Sequence, residues 1–159
     1  MKNRVTRGAG LFGALYIGGQ KLIASVASAF GTVAFDRAPK VAIKAVTGAA
    51  LHAGVLNWQN PESVSIHILR IVFDVTTKST GASTTDIGTT AVSNTTASDN
   101  LIDGLDTGSA AIAADNIVNG GSNGKAYQKL AAGKWVTIKE ASGDATGLVG
   151  TLYVEYITA

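Results

Sequence analysis

An all-β fold, an antiparallel β-sandwich or jelly roll carrying an extended N-terminal arm, follows from three features of this 159-residue chain. Apolar and polar residues alternate at period two in short runs, separated roughly every ten residues by clusters of Gly, Asn, Asp and Ser. The runs are rich in β-branched residues, which fit a pleated surface, and helical periodicity is confined to Leu22–Phe30. Finally, the texture changes after Pro39 from Gly- and Ala-rich to strand-like, which places an arm at 1–40 and a body at 41–159.

The arm invites three readings. Gly8, Gly10 and Gly13 spell G-x-G-x-x-G, but a dinucleotide loop must follow a buried strand, and only MKNRVTR precedes it. A secretion signal would use Lys2, Arg4 and Arg7 as its basic start, Leu11–Ile17 as its apolar stretch and Ala27-Ser28-Ala29 as its cleavage site. Gly18-Gly19-Gln20-Lys21 interrupts that apolar stretch, and a cation at the centre of an inserting helix costs about 2.5–3.5 kcal/mol. The third reading is an arm that grips a partner. Ordering a residue's backbone costs roughly 1–2 kcal/mol, so about forty ordered residues require extensive burial on a neighbouring subunit. Leu11, Phe12, Leu15, Tyr16 and Ile17 would supply that burial, while Arg4, Arg7 and Lys21 would pair with carboxylates.

In the body, Val41, Ile43, Ala45 and Thr47 alternate with Ala42, Lys44 and Val46 as a half-buried strand. A second run, Leu51–Trp58, stops at the turn signal Asn60-Pro61. Next comes ESVSIHILRIVFDVTT, where Val64, Ile66 and Ile68 share one parity and Leu69, Ile71, Phe73 and Val75 the other. A β-bulge between Ile68 and Leu69, or a switch between sheets, would aim both sets into one core. Thr76–Thr107, polar but broken by Asp86-Ile87-Gly88 and Asn100-Leu101-Ile102, reads as short strands joined by Asx-turns. Glycines in NGGSNGKAYQKLAAG mark tight turns about a short pairing segment. Trp135–Glu140, a turn at Ser142-Gly143-Asp144, and Leu148–Ile157 read as a hairpin. Seven or eight strands result.

Composition narrows the chemistry. Without cysteine there are no disulfides, thiol nucleophiles or thiolate metal sites. No segment is long and apolar enough to span a bilayer as a helix. Residues 1–44 carry seven cations against the single acid Asp36, a net +6, which leaves −4 on the rest of a chain whose total is +2. A basic arm that docks on acid, and a body that does not bind nucleic acid, fit that asymmetry.

An enzyme is not expected. His52 and His67 lack metal-ligand spacing, and no Ser sits in a G-x-S-x-G elbow. Asp99, Asp103 and Asp106 lack the alternation and closing Glu of a calcium loop and read as Asx-turn caps. Trp58, Trp135, Tyr127, Tyr153 and Tyr156 read as core and interface fillers ahead of a sugar-stacking platform. No cofactor or metal is expected.

Three stretches, TASDNLIDGLD at 96–106, NGKAYQKLAAGKWVT at 123–137 and ASGDATGLVGTLYVEY at 141–156, resemble tailed-bacteriophage head decoration (cement) proteins. The resemblance covers about residues 60–159 and excludes the arm. It implies a jelly-roll-like body on the outer surface of the virion capsid, a homotrimer whose partner is the major capsid protein, with no catalytic residues. The alternative it leaves open is a head or tail fibre component that binds host-surface carbohydrate.

Overall fold

A computed structural model describes residues 38–48, 54–93 and 98–159, with the backbone of two short strands near the N-terminus, β1 (Tyr16–Ile17) and β2 (Gln20–Lys21). These two pair antiparallel, Tyr16 opposite Lys21 and Ile17 opposite Gln20. The chain divides into two units, Met1–Asp36 and Arg37–Ala159. The expected extended arm, its anchor side chains and the helical stretch at Leu22–Phe30 lie outside the described residues.

The second unit is all-β among the described residues: β3 (Lys40–Thr47), β4 (Gly54–Gln59), β5 (Ile66–Thr77), β6 (Ser83–Thr90), β7 (Ile102–Asp106), β8 (Ile112–Asp115), β9 (Gln128–Leu130), β10 (Trp135–Gly143) and β11 (Val149–Thr158). They form two antiparallel sheets packed on each other, one in the order β4-β10-β6-β7, the other β3-β11-β5-β8 with β9 also on β5. The predicted sandwich is therefore the observed architecture.

Between the sheets lie Trp58, Ile87, Ile102, Val136 and Ile138 from one side and Val46, Ile66, Ile68, Ile71, Phe73, Leu152 and Val154 from the other, nearly all fully buried. Trp58 meets Tyr156 across the gap, ring centroids 5.6 Å apart and tilted by 52°. Tyr156 ends at the rim, where its hydroxyl donates to Glu62 Oε1 (3.3 Å), which also accepts from Lys40 Nζ (3.0 Å). Burial, then the neighbouring Glu62 carboxylate, push the Tyr156 phenol above its ordinary pKa.

The parity change in β5 is a bulge. Glu155 of β11 faces Arg70 and Tyr156 faces Ile68, so Leu69 is the extra residue, and Ile66, Ile68, Ile71, Phe73 and Val75 all point inward. Val64 lies before the strand and is exposed.

The hairpin expected at Trp135–Ile157 does not form. β10 pairs with β4 and β6, while β11 pairs with β3 and β5, so the connection crosses from one sheet to the other. Ala145 and Leu148 are fully buried in that crossing, and Leu148 O accepts from Gly48 N (2.7 Å). Alternation identifies two strands and their inward faces; it does not say which sheet each joins.

Candidate docking surface

β11 is central in its sheet and fixes which way its neighbours face. Leu152, Val154 and Tyr156 are inward, which turns Tyr153 and Glu155 outward. Residues opposite one another on antiparallel strands share a face. Tyr153 is opposite Ile43 of β3 and Val72 of β5, and Glu155 is opposite Val41 and Arg70. The outer face thus carries an apolar row, Ile43-Tyr153-Val72, beside a mixed one, Val41-Glu155-Arg70. Between them Val41, Arg70, Val72, Tyr153 and Glu155 line a shallow depression of about 250 Å³.

Val41 and Ile43 are 58% and 61% exposed. Isolated exposed apolar side chains are ordinary, but here the register makes them contiguous with Tyr153 and Val72, and contiguous patches mark interaction surfaces. The far side of the row is rimmed by charge. Asp115 lies opposite Val72, and its Oδ2 accepts from Arg70 Nη2 at 2.6 Å. Asp115 Oδ1 accepts from the Val118 and Ile117 amides (2.8 and 2.9 Å). The Val118 amide first, then Arg70, hold the Asp115 carboxyl below the usual range. Beyond that cap the chain exposes Ile117 and Val118.

The sequence shows β3 alternating without saying which parity is inward. The more apolar set, Val41 and Ile43, faces out, and Val46 is the buried member of the other set. The cause is non-local: β3 takes its face from β11, whose inward Val154 and Leu152 are opposite Ala42 and Lys44.

The other sequence candidates separate in space. Arg4, Arg7, Leu11, Phe12 and Leu15 fall outside the described residues, as do His52 and the side chains of Tyr16, Ile17 and Lys21. His67 stacks on Tyr127 at 5.2 Å, and the Tyr127 hydroxyl hydrogen-bonds its Nδ1. Trp58 and Tyr156 are core, so the aromatics do not assemble a stacking platform.

Of the three aspartates expected as Asx-turn caps, Asp106 caps its own turn, whereas Asp103 and Asp99 tie their loop to the distant Asn123. Asp106 Oδ1 accepts from Gly108 N and Ser109 N (both 3.0 Å), and Asp103 Oδ2 accepts from Asn123 N (3.1 Å). Asp99 Oδ2 accepts from Asn123 Nδ2 (2.8 Å). Among the described residues no group of three or more His, Cys, Asp or Glu converges on a metal-sized site. Asp86 sits near this acidic pair; burial, more than Asp103 and Asp99, raises its pKa, while the Gly104 amide opposes the rise.

No protein-family model matches the chain, and neither a curated protein nor a solved structure matches it.

Proposed function

We propose that this chain is a structural virion protein, a decoration or cement protein that binds the outside of a tailed-phage head and stabilises contacts between major capsid subunits. The observation that carries the reading is the contiguous apolar row Ile43-Tyr153-Val72 on the outer face of a sheet whose other face already holds the core. The three stretches that resemble head decoration proteins support it from the sequence side, and they supply the partner, the homotrimer and the outer capsid surface as the place of action. The basic residues of the arm add attraction to acidic surface.

The mechanism is linkage, with no turnover. A protein that binds the assembled head and not its separated subunits stabilises the head by RT ln(1 + [L]/Kd), about 2.7 kcal/mol per site at a hundredfold excess over Kd. Heat rupture of heads with and without the full-length chain tests this. Heads carrying it are expected to release DNA at a higher temperature; identical rupture temperatures at full occupancy would leave the cement role without support.

A further inference from the structure

At the end of the sandwich where β6 begins and β10 stops, a cleft of about 430 Å³ opens between the β5–β6 connection, the turn after β7 and the end of β10. We propose that this cleft binds a neutral saccharide of one or two pyranose rings. It shares no lining residue with the apolar depression on the outer sheet face, so the inference stands independently of head docking.

The lining selects the ligand. Small-molecule sites are usually apolar with a few polar groups. Here every lining side chain larger than alanine is polar, among them Lys78, Thr80, Thr84, Asp106 and Ser142. Their carbon atoms and the glycines leave apolar surface between the polar groups, and no aromatic or large aliphatic side chain lines the cleft. A ligand that carries donors and acceptors beside C–H surface, as a sugar does, fits such a wall.

Thr80, Thr84, Ser142 and Lys78 keep capacity for a ligand. The Thr84 and Ser142 hydroxyls bond each other at 2.7 Å, which leaves one O–H of the pair to donate outward. Thr80 Oγ1 donates to Thr146 O (3.1 Å) and keeps its lone pairs. Lys78 Nζ donates once, to Gly108 O (3.1 Å), and holds two further N–H groups. Asp106 is held ionised by Ser109 Oγ, with help from the Gly108 and Ser109 amides. One ammonium and one carboxylate on the same wall cancel, so no net charge favours an ionic sugar over a neutral one.

The wall is fixed before any ligand arrives, which lowers the ordering cost of binding. Behind it Ser83 Oγ and Thr85 Oγ1, both buried, bond Thr107 Oγ1 at 3.1 and 2.9 Å. Ser79 Oγ donates to Gly81 O (2.8 Å) and lies 3.2 Å from Thr107 O. Gly81 lines the cleft and a Cβ there would meet nothing within 4 Å, so a large side chain can be placed at its edge without displacing the backbone.

The test is an amide chemical-shift titration of the full-length chain with the methyl pyranosides of glucose, galactose, mannose and N-acetylglucosamine, and with chitobiose. At least one is expected to shift the Gly81, Thr84, Ser109 and Ser142 amides saturably. Gly81→Trp should weaken that binding by about tenfold or more with an unchanged melting temperature, and Lys78→Ala should weaken it several-fold should the tryptophan variant not fold. No saturable shift with any of these sugars would overturn the proposal. So would shifts confined to another surface, wild-type affinity in the variants, or tighter binding of glucuronate than of the glucoside.

Discussion

Replacing Val41 and Ile43 together by threonine should separate docking from folding. Both side chains are about three-fifths exposed in the isolated body. Complete burial of a Val or Ile is worth about 1.5–3 kcal/mol, so covering the exposed part yields roughly 1–2 kcal/mol each. The pair then accounts for about 2–4 kcal/mol, a factor of roughly 30 to 1,000 in affinity. The folded body should notice little, because surface substitutions usually stay within about 0.5 kcal/mol and threonine keeps the β-branching suited to an edge strand. Heads lacking the protein are titrated with labelled full-length chain, wild-type or doubly substituted, and bound and free fractions are separated by sedimentation, alongside thermal melts of both proteins. Equal melts with a rightward-shifted binding curve are expected. Affinities that agree within about threefold would refute the assignment of this face.

Other perturbations probe the fold that carries the face. Asn60, 5% exposed, donates through Nδ2 to Val64 O (2.9 Å), Ala131 O (3.1 Å) and Leu130 O (3.3 Å), and its Oδ1 accepts from Glu62 N (2.9 Å). Asn60→Ala strands these groups and should cost about 2–4 kcal/mol, read as a melting temperature lower by roughly 10 °C; an unchanged melt would contradict it. Gly143 has φ of +82°, and a Cβ there would lie 1.9 Å from Ala82 O, so Gly143→Ala should be among the most damaging single-methyl additions, measured by denaturant midpoint. Asp86→Asn should stabilise the body at neutral pH. A carboxyl with a raised folded pKa is penalised while ionised, so the gain should fade as pH falls through that raised value and be gone below about 4. Asp106, Asp115 and Asp144 have lowered pKa values and act in the opposite sense. Their stabilisation is present above about pH 4 and lost as pH falls through the depressed values, so the wild-type melting temperature should drop in acid and less so in Asp115→Asn.

Local patterning made most of the strands legible. The bulge at Leu69 was readable because two apolar sets of opposite parity must share one core. The Asx cap at Asp106 was readable because Asp two residues before a turn amide is a local chemistry, and Asp144, read only as part of a turn, makes the same cap. Choices set by distant pairing were hidden. The crossing of Asp144–Leu148 between sheets depends on partners far away in sequence, and so does the outward turn of Val41 and Ile43, imposed by β11 more than a hundred residues later. The hydroxyl-lined cleft was hidden for the same reason: its lining comes from three separate stretches, at 78–84, 106–109 and 142–143. The polar composition of 76–107 signalled only that turns would be dense there.

The most direct test of the head-protein account is the intact mass of this chain in purified virions, with its copy number relative to the major capsid protein. The account predicts a fixed, high ratio set by the lattice, unchanged between preparations. Absence from the particle, or only a few copies per virion, would contradict it and favour a fibre component or a protein that acts away from the head.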